Sequence, residues 1–198
     1  MRRFLIVLLI YFLITPCASH AIFKKKDYKQ EFLNGALKAE QRHNDKSAFH
    51  LYEKTMYYYP NDKEVIENYA KFCERKSYFE KATALYKKLY DLTQNNEYLY
   101  KSYLNEIKKT TIPTKTITKI SKDKKLSKTQ QSKINLRLIE YYVQNSDWKN
   151  TKKYCDKVPE KDLTKNVIIS CIVADEKANQ TSTSYGHYLR YAEFYPDD

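Results

Sequence analysis

The sequence predicts an all-α protein built as a stack of helical hairpins, and three observations predict it. Segment 48–62, AFHLYEKTMYYYPND, is echoed at 184–198 by SYGHYLRYAEFYPDD. In each, a small residue is followed four later by Tyr, then by a Tyr-Pro step and an acidic close. Their offset is four times 34 residues, and self-similarity at such a period is the mark of stacked repeats. Second, a 34-residue frame started at Lys29 runs five times, without insertion or deletion, to Asp198. Third, glycine occurs only at Gly35 and Gly186, and strand-type alternation is absent.

The first residues read as a leader. Met1-Arg2-Arg3 is cationic, and Phe4–Ile14 is an apolar run too short to span a hydrocarbon core, which needs roughly 20 residues. Ser19 and Ala21 supply small side chains at −3 and −1, which places cleavage after Ala21. A lipid anchor on Cys17 is the lesser reading, because Pro16 stands where a small residue is customary. The expected organisation is a signal peptide at 1–21, an extension at 22–28 and a repeat domain at 29–198, in a protein exported to the periplasm or secreted. Without residues 1–21 the chain has 177 residues, and loss of Arg2 and Arg3 lowers its formal charge from +12 to +10. That length suits one domain with a real core. Lys, Asn, Ile and Tyr, abundant together, also follow from A/T-rich codons, so the positive charge is weak support for nucleic-acid binding. Export weakens it again, and no membrane span is expected after cleavage.

Each repeat is justified by four columns. The fourth and eighth share one face of a first helix, and the twentieth and twenty-fourth share one face of a second. Repeat one (29–62) fills them with Phe32, Ala36, Ala48 and Tyr52, breaks at His43–Lys46 and closes on Pro60, which cannot continue a helix. Repeat two (63–96) has Ile66, Ala70, Ala82 and Tyr86, with Tyr69 and Phe79 as further large apolar residues and a break at Glu74–Ser77. Repeat three (97–130) has Tyr100 and Leu104, but its second helix is poor, with Pro113, Thr116, Ile117 and Ile120 in a Thr- and Lys-rich stretch. Repeat four (131–164) has Ile134, Leu138, Asn150 and Tyr154, a break at Gln144–Asp147, and a capping box from Ser127 and Gln130 at its opening. Repeat five (165–198) has Ile168, Ile172, Ser184 and Tyr188 and closes on Pro196. A coiled coil is excluded because no a/d heptad continues across the breaks. Each hairpin buries its apolar stripe by stacking on its neighbours.

With these columns in place, residues 29–198 resemble a tetratricopeptide-repeat protein, an exported bacterial member of that family. The match is best in the first two repeats, where Ile66, Tyr69, Ala70, Phe79, Ala82 and Tyr86 stand where the motif wants large, large, small, aromatic, small and aromatic residues. Asn150 and Cys171 depart from it.

Catalytic signatures are missing. His43, His50 and His187 form no His-Glu-x-x-His motif, no Cys-x-x-Cys pair occurs, and two glycines make no phosphate loop. The expectation is a protein without catalysis, metal or cofactor. Cys73, at a core column, reads as a buried thiol. Cys155 and Cys171 fall on consecutive helices, and a disulfide between them is one reading; against it, the Cys155 column points partly away from the next helix.

The resemblance implies that first helices line a concave wall, whose candidates for partner binding are Asn68, Lys71, Arg75, Lys101, Asn105 and Lys108. Lys101 and Asn105 match the opening pair of the family's clamp for a peptide carboxylate, but Leu136, Asn166 and Ser170 do not complete it. A mixed-charge groove for an extended or helical protein segment remains, beside the plain reading of solvated helix faces. Segment 108–133 holds nine lysines and one acid, Asp123, a pattern that takes polyanions but lacks aromatics for base recognition. On the last helix Tyr188 is expected inward, with Leu189, Tyr191, Ala192 and Tyr195 short of neighbours. Leu189, Tyr191 and Tyr195 therefore complete the candidate set, for a partner or for homo-oligomerisation. The function expected is a non-enzymatic adaptor in envelope assembly or secretion. A secreted factor binding a host protein and a basic polyanion-binding protein are the alternatives.

Overall fold

The computed structural model describes residues 27–179 and 181–197, with the side chains of 160 and 181 left aside. The expected leader and Cys17 lie outside them. Among the described residues there are ten α-helices, one 3-10 turn at Glu160–Asp162 and no strand. The helices are α1 (Lys29–Gln41), α2 (Asp45–Tyr58), α3 (Lys63–Arg75), α4 (Phe79–Thr93), α5 (Asn96–Ile107), α6 (Thr114–Ser121), α7 (Lys128–Gln144), α8 (Trp148–Cys155), α9 (Lys165–Lys177) and α10 (Thr181–Phe194). None of the described helices is long and apolar enough to cross a membrane.

The 34-residue frame survives in three dimensions. α1, α3 and α9 open on its first residue, at Lys29, Lys63 and Lys165. α5 opens one residue early because Asn95 accepts the Glu97 amide. α7 opens three early, where Ser127 and Gln130 form their reciprocal capping box. Three turns between paired helices share one bonding pattern. His43, Ser77 and Ser146 adopt φ near +55 to +60°, and the next amide reaches back to the helix, as Tyr78 does to the Cys73 carbonyl at 2.8 Å. This is the left-handed helix ending that favours glycine, made here with none.

Packing follows the columns. Ile66, Ala70, Ala82 and Tyr86 are fully buried, as are Ala36, Ala48 and Tyr52. A small residue in the twentieth column lets paired helices approach, and the tyrosine one turn on fills the space beyond. Tyr52 stacks flat on Tyr69 at 5.6 Å and meets Phe72 at 5.1 Å, joining the first hairpin to the second. Asn150 is half-buried and does different work: its side-chain amide donates to Asp147, the residue capping α8.

The third repeat departs from this scheme. No left-handed residue closes its turn; residues 108–113 run instead as an irregular connection into Pro113, which opens α6. α5 lies broadly along α4, the second helix of the preceding hairpin, and makes little contact with α6. The buried apolar residues accordingly form two clusters, Leu33 to Leu99 and Tyr100 to Cys171, and Tyr103 packs against both.

The last hairpin corrects the inward placement of Tyr188, whose ring is half exposed while its hydroxyl donates to Glu176 at 2.8 Å. The twenty-fourth column is sealed in earlier repeats by the following hairpin, as where Tyr86 stacks on Tyr98. No helix follows α10 among the described residues. His187, one residue earlier, turns inward onto Asp175, which also accepts a bond from Lys152 at 2.7 Å.

Cys155 and Cys171 are joined, with Cα atoms 5.8 Å apart, so the cross-link fastens α8 to α9. Closing a loop of that size contributes up to about 3 kcal/mol by chain entropy. Cys73 is a buried thiol, pushed up to about 12 by burial.

Candidate interaction surfaces

The first helices α1, α3 and α5 bring their twelfth and neighbouring columns side by side and tie them with a repeated device. Glu40 accepts the Tyr52 hydroxyl at 2.6 Å from its own hairpin and the Arg75 guanidinium at 2.6 Å from the next. Glu74 accepts the Tyr86 hydroxyl at 2.9 Å from its own hairpin, and Asn105 at 3.3 Å and Lys108 at 3.4 Å from the next. Each glutamate thus joins two hairpins at once. Burial, reinforced by the adjacent carboxylate, keeps the Tyr52 and Tyr86 hydroxyls protonated far above their usual range. Glu67 adds a third link, accepting Lys71 at 2.8 Å and the Tyr98 hydroxyl at 2.9 Å. Lys71 is the main cause of its lowered carboxyl pKa.

These ties sort the candidates on the concave wall. Asn105 is fully buried, with its amide spent on Glu74 and the Lys101 carbonyl, so it positions the wall and cannot itself touch a partner. The family pattern misplaced it because α5 is pressed onto the preceding hairpin. Asn68 is half-buried and bonds the Glu64 carbonyl. Lys101 is half-buried with its ammonium 5.7 Å from the centre of the Tyr86 ring. Lys71, Arg75 and Lys108 keep 45%, 51% and 36% of their side chains exposed. Asn68 and Lys71 border a groove of about 500 Å³ whose other walls are Asp62, Lys63, Glu64 and Glu67.

On α10 the candidates divide. Leu189 is exposed. Tyr191 and Tyr195 are half-buried, packed on each other and covered by the Lys165 ammonium at 5.9 and 5.8 Å. The frame assigns both to a helix face but cannot show that a lysine at the start of α9 roofs them.

Among the concavities that escaped the sequence reading, two stand at departures from the repeat. One, of about 600 Å³, lies at the outer edge of the first hairpin, where Tyr28, Phe32 and Tyr58 meet Asp27, Glu31, Lys54 and Tyr59. Its only sequence signal was the run Tyr57-Tyr58-Tyr59, which the columns treat as ordinary helix. The other, about 440 Å³, opens where the third hairpin is irregular, between Lys108, Lys109, Arg137 and Tyr141. Tyr141 there accepts the Ile112 amide through its hydroxyl.

Stacked helical hairpins in one 34-residue register, with first helices tied to one another by shared glutamates, define a tetratricopeptide-like solenoid. Among solved structures, the chain is similar to the MamA protein at 13% identity and a TM-score of 0.61, with 85% of this chain and 92% of that one covered. It is also similar to PilF of Pseudomonas aeruginosa at 15% identity and a TM-score of 0.52, covering 86% and 78%. At such identities the likeness is one of fold. No family model and no curated protein sequence matches the chain.

Proposed function

We propose that this chain is a non-enzymatic interaction scaffold, exported to the cell envelope, whose inner wall holds an extended or helical segment of another envelope or secreted protein. The observation that carries the reading is the exposure of Lys71 and Arg75 on α3 and of Lys108 at the end of α5, each already touching one acid. Exposed ion pairs of this kind are worth about 0–1 kcal/mol. Exchanging an internal acid for a partner's carboxylate therefore costs little, and the remaining N–H donors are open to it. Work in envelope assembly or secretion is the role this reading favours, and capture of a host protein is its variant in the medium. The last helix is a second contact surface.

The test is crosslinking capture with wild type and with Lys71→Glu, Arg75→Glu and Lys108→Glu combined. Wild type is expected to retain a discrete partner and the triple variant to lose it. Equal capture by both would remove the groove from the account. Fractionation into periplasm, membrane and medium separates the two locations, and recovery with the cytoplasm would overturn export. A polyanion-binding role has its own observation in the nine lysines and single acid of 108–133. It requires binding to heparin or nucleic acid that is lost steeply as salt rises.

A further inference from the structure

The fourth and fifth hairpins carry the same four columns on their second helices with opposite fates. On α8 and just past its end these are Thr151, Tyr154, Cys155 and Val158, all between 0% and 8% exposed, with α9 fastened against them at Cys155. Thirty-four residues on, α10 carries Tyr185, Tyr188, Leu189 and Ala192. The first three are 65%, 49% and 54% exposed, and Ala192 is exposed as well. Their spacing of i, i+3, i+4 and i+7 makes one continuous stripe. α10 presents uncovered the face that α8 buries.

We infer that this stripe pairs with the same stripe of a second copy of the chain, across a twofold axis with the two α10 helices antiparallel. Two observations select that occupant. Head-to-tail stacking would seat α1 of one copy on α10 of another, using the columns that carry Val65, Tyr69 and Phe72 against α2 in the second hairpin. In α1 those columns hold Glu31, Gly35 and Lys38, so such a contact buries two charges and these three columns offer no large apolar side chain to the stripe. The α10 stripe, by contrast, complements itself. Turned antiparallel about its midpoint, Tyr185 faces Ala192 of the second copy and Tyr188 faces Leu189, large against small at the ends and apolar against apolar at the centre. The face is also held rigid, since the disulfide fixes α9 to α8 and His187 ties α10 to Asp175. Little ordering entropy then opposes docking.

A single helix pair buries less than the roughly 800 Å² per partner of a standard interface, so the dimer is weak and its mass must be followed as a function of concentration. The inference rests on the fold and is independent of the groove reading. Sedimentation equilibrium of the wild type over a wide concentration range is expected to show a reversible monomer–dimer equilibrium. Tyr185→Ser with Leu189→Asp, both exposed positions, is expected to weaken association at least tenfold while leaving the melting temperature unchanged. A wild type that stays monomeric throughout leaves the face to a different protein and overturns the inference. So does growth beyond dimers, which signals head-to-tail contact, or a double variant that associates as the wild type does.

Discussion

The second and third hairpins occupy adjacent frames of equal length and are built differently. In the second, Ser77 closes a tight left-handed turn, α4 runs 15 residues, and Tyr86 bonds Glu74 across the pair. In the third, Lys108–Pro113 replaces the tight turn and α6 has 8 residues. Ile120 stands where the tyrosine was and Lys108 where the glutamate was, and Lys108 reaches back to Glu74. Hairpin closure is lost, yet the 34-residue spacing is not. The comparison teaches that the register is maintained by stacking between hairpins, since α5 keeps its place through α4 even with little hold on α6.

The sharpest way to break this comparison is to place one charge at the same column in both hairpins. Ala82 is fully buried, while Thr116, its counterpart, is only half-buried. Ala82→Glu forces a carboxylate into a close helix crossing and is expected to cost about 4 kcal/mol or more. Thr116→Glu has room to turn outward and is expected to cost less than about 1 kcal/mol. Urea midpoints of the two variants measure the contrast, and equal losses would mean that the third hairpin is as tightly closed as the second.

A smaller effect tests the glutamate links. Tyr86→Phe removes one bond to Glu74 and leaves Asn105 and Lys108 on it. The expected loss is about 1–1.5 kcal/mol, read by chemical denaturation. The Glu67 link adds a pH signature. Its folded carboxyl lies below the ordinary value of 4.5, chiefly because of Lys71. Its contribution is therefore present above that value and fades as pH falls through the lower folded one. Glu67→Gln should flatten the acid limb of the stability profile by under about 1 kcal/mol, and an unchanged limb would remove this link from the account.

The smallest effect goes the other way. Ser77 holds φ at +60°, a conformation glycine adopts without steric cost. Ser77→Gly is expected to raise stability by about 0.5–1 kcal/mol, seen as a higher melting temperature. The third hairpin offers no such position among its turn residues.

Much of this was legible in the sequence because a repeat is read many times over. Ile66, Ala70, Ala82 and Tyr86 were placed by their columns, and the Ser127–Gln130 box by its spacing. What was not legible depends on neighbours instead of columns. Asn105 sits in a column that faces the wall, but α5's shift onto the second hairpin buries it. Tyr188 shares a column with Tyr86 and is exposed because no described helix lies over it as α5 lies over Tyr86. Tyr191 is covered by Lys165, whose reach no periodicity encodes. The aromatic hollow of Tyr28, Phe32 and Tyr58 was invisible because Tyr28 lies outside the repeat frame and Tyr58 outside its four columns.

The position of Cys73 bears on how the chain acquires its disulfide. Three thiols outside the expected leader, Cys73, Cys155 and Cys171, allow three pairings, and only one is native. Cys73 is enclosed by the first two hairpins, in a cluster separate from the one that holds the other two. Those hairpins are made of local contacts and are synthesised first, so they can close before the rest of the chain exists. Once they do, burial suppresses the thiolate that exchange chemistry needs. With Cys73 withdrawn in this way, Cys155 and Cys171 each have one partner left for oxidation, so folding of the first two hairpins before the last suffices to select the native pair.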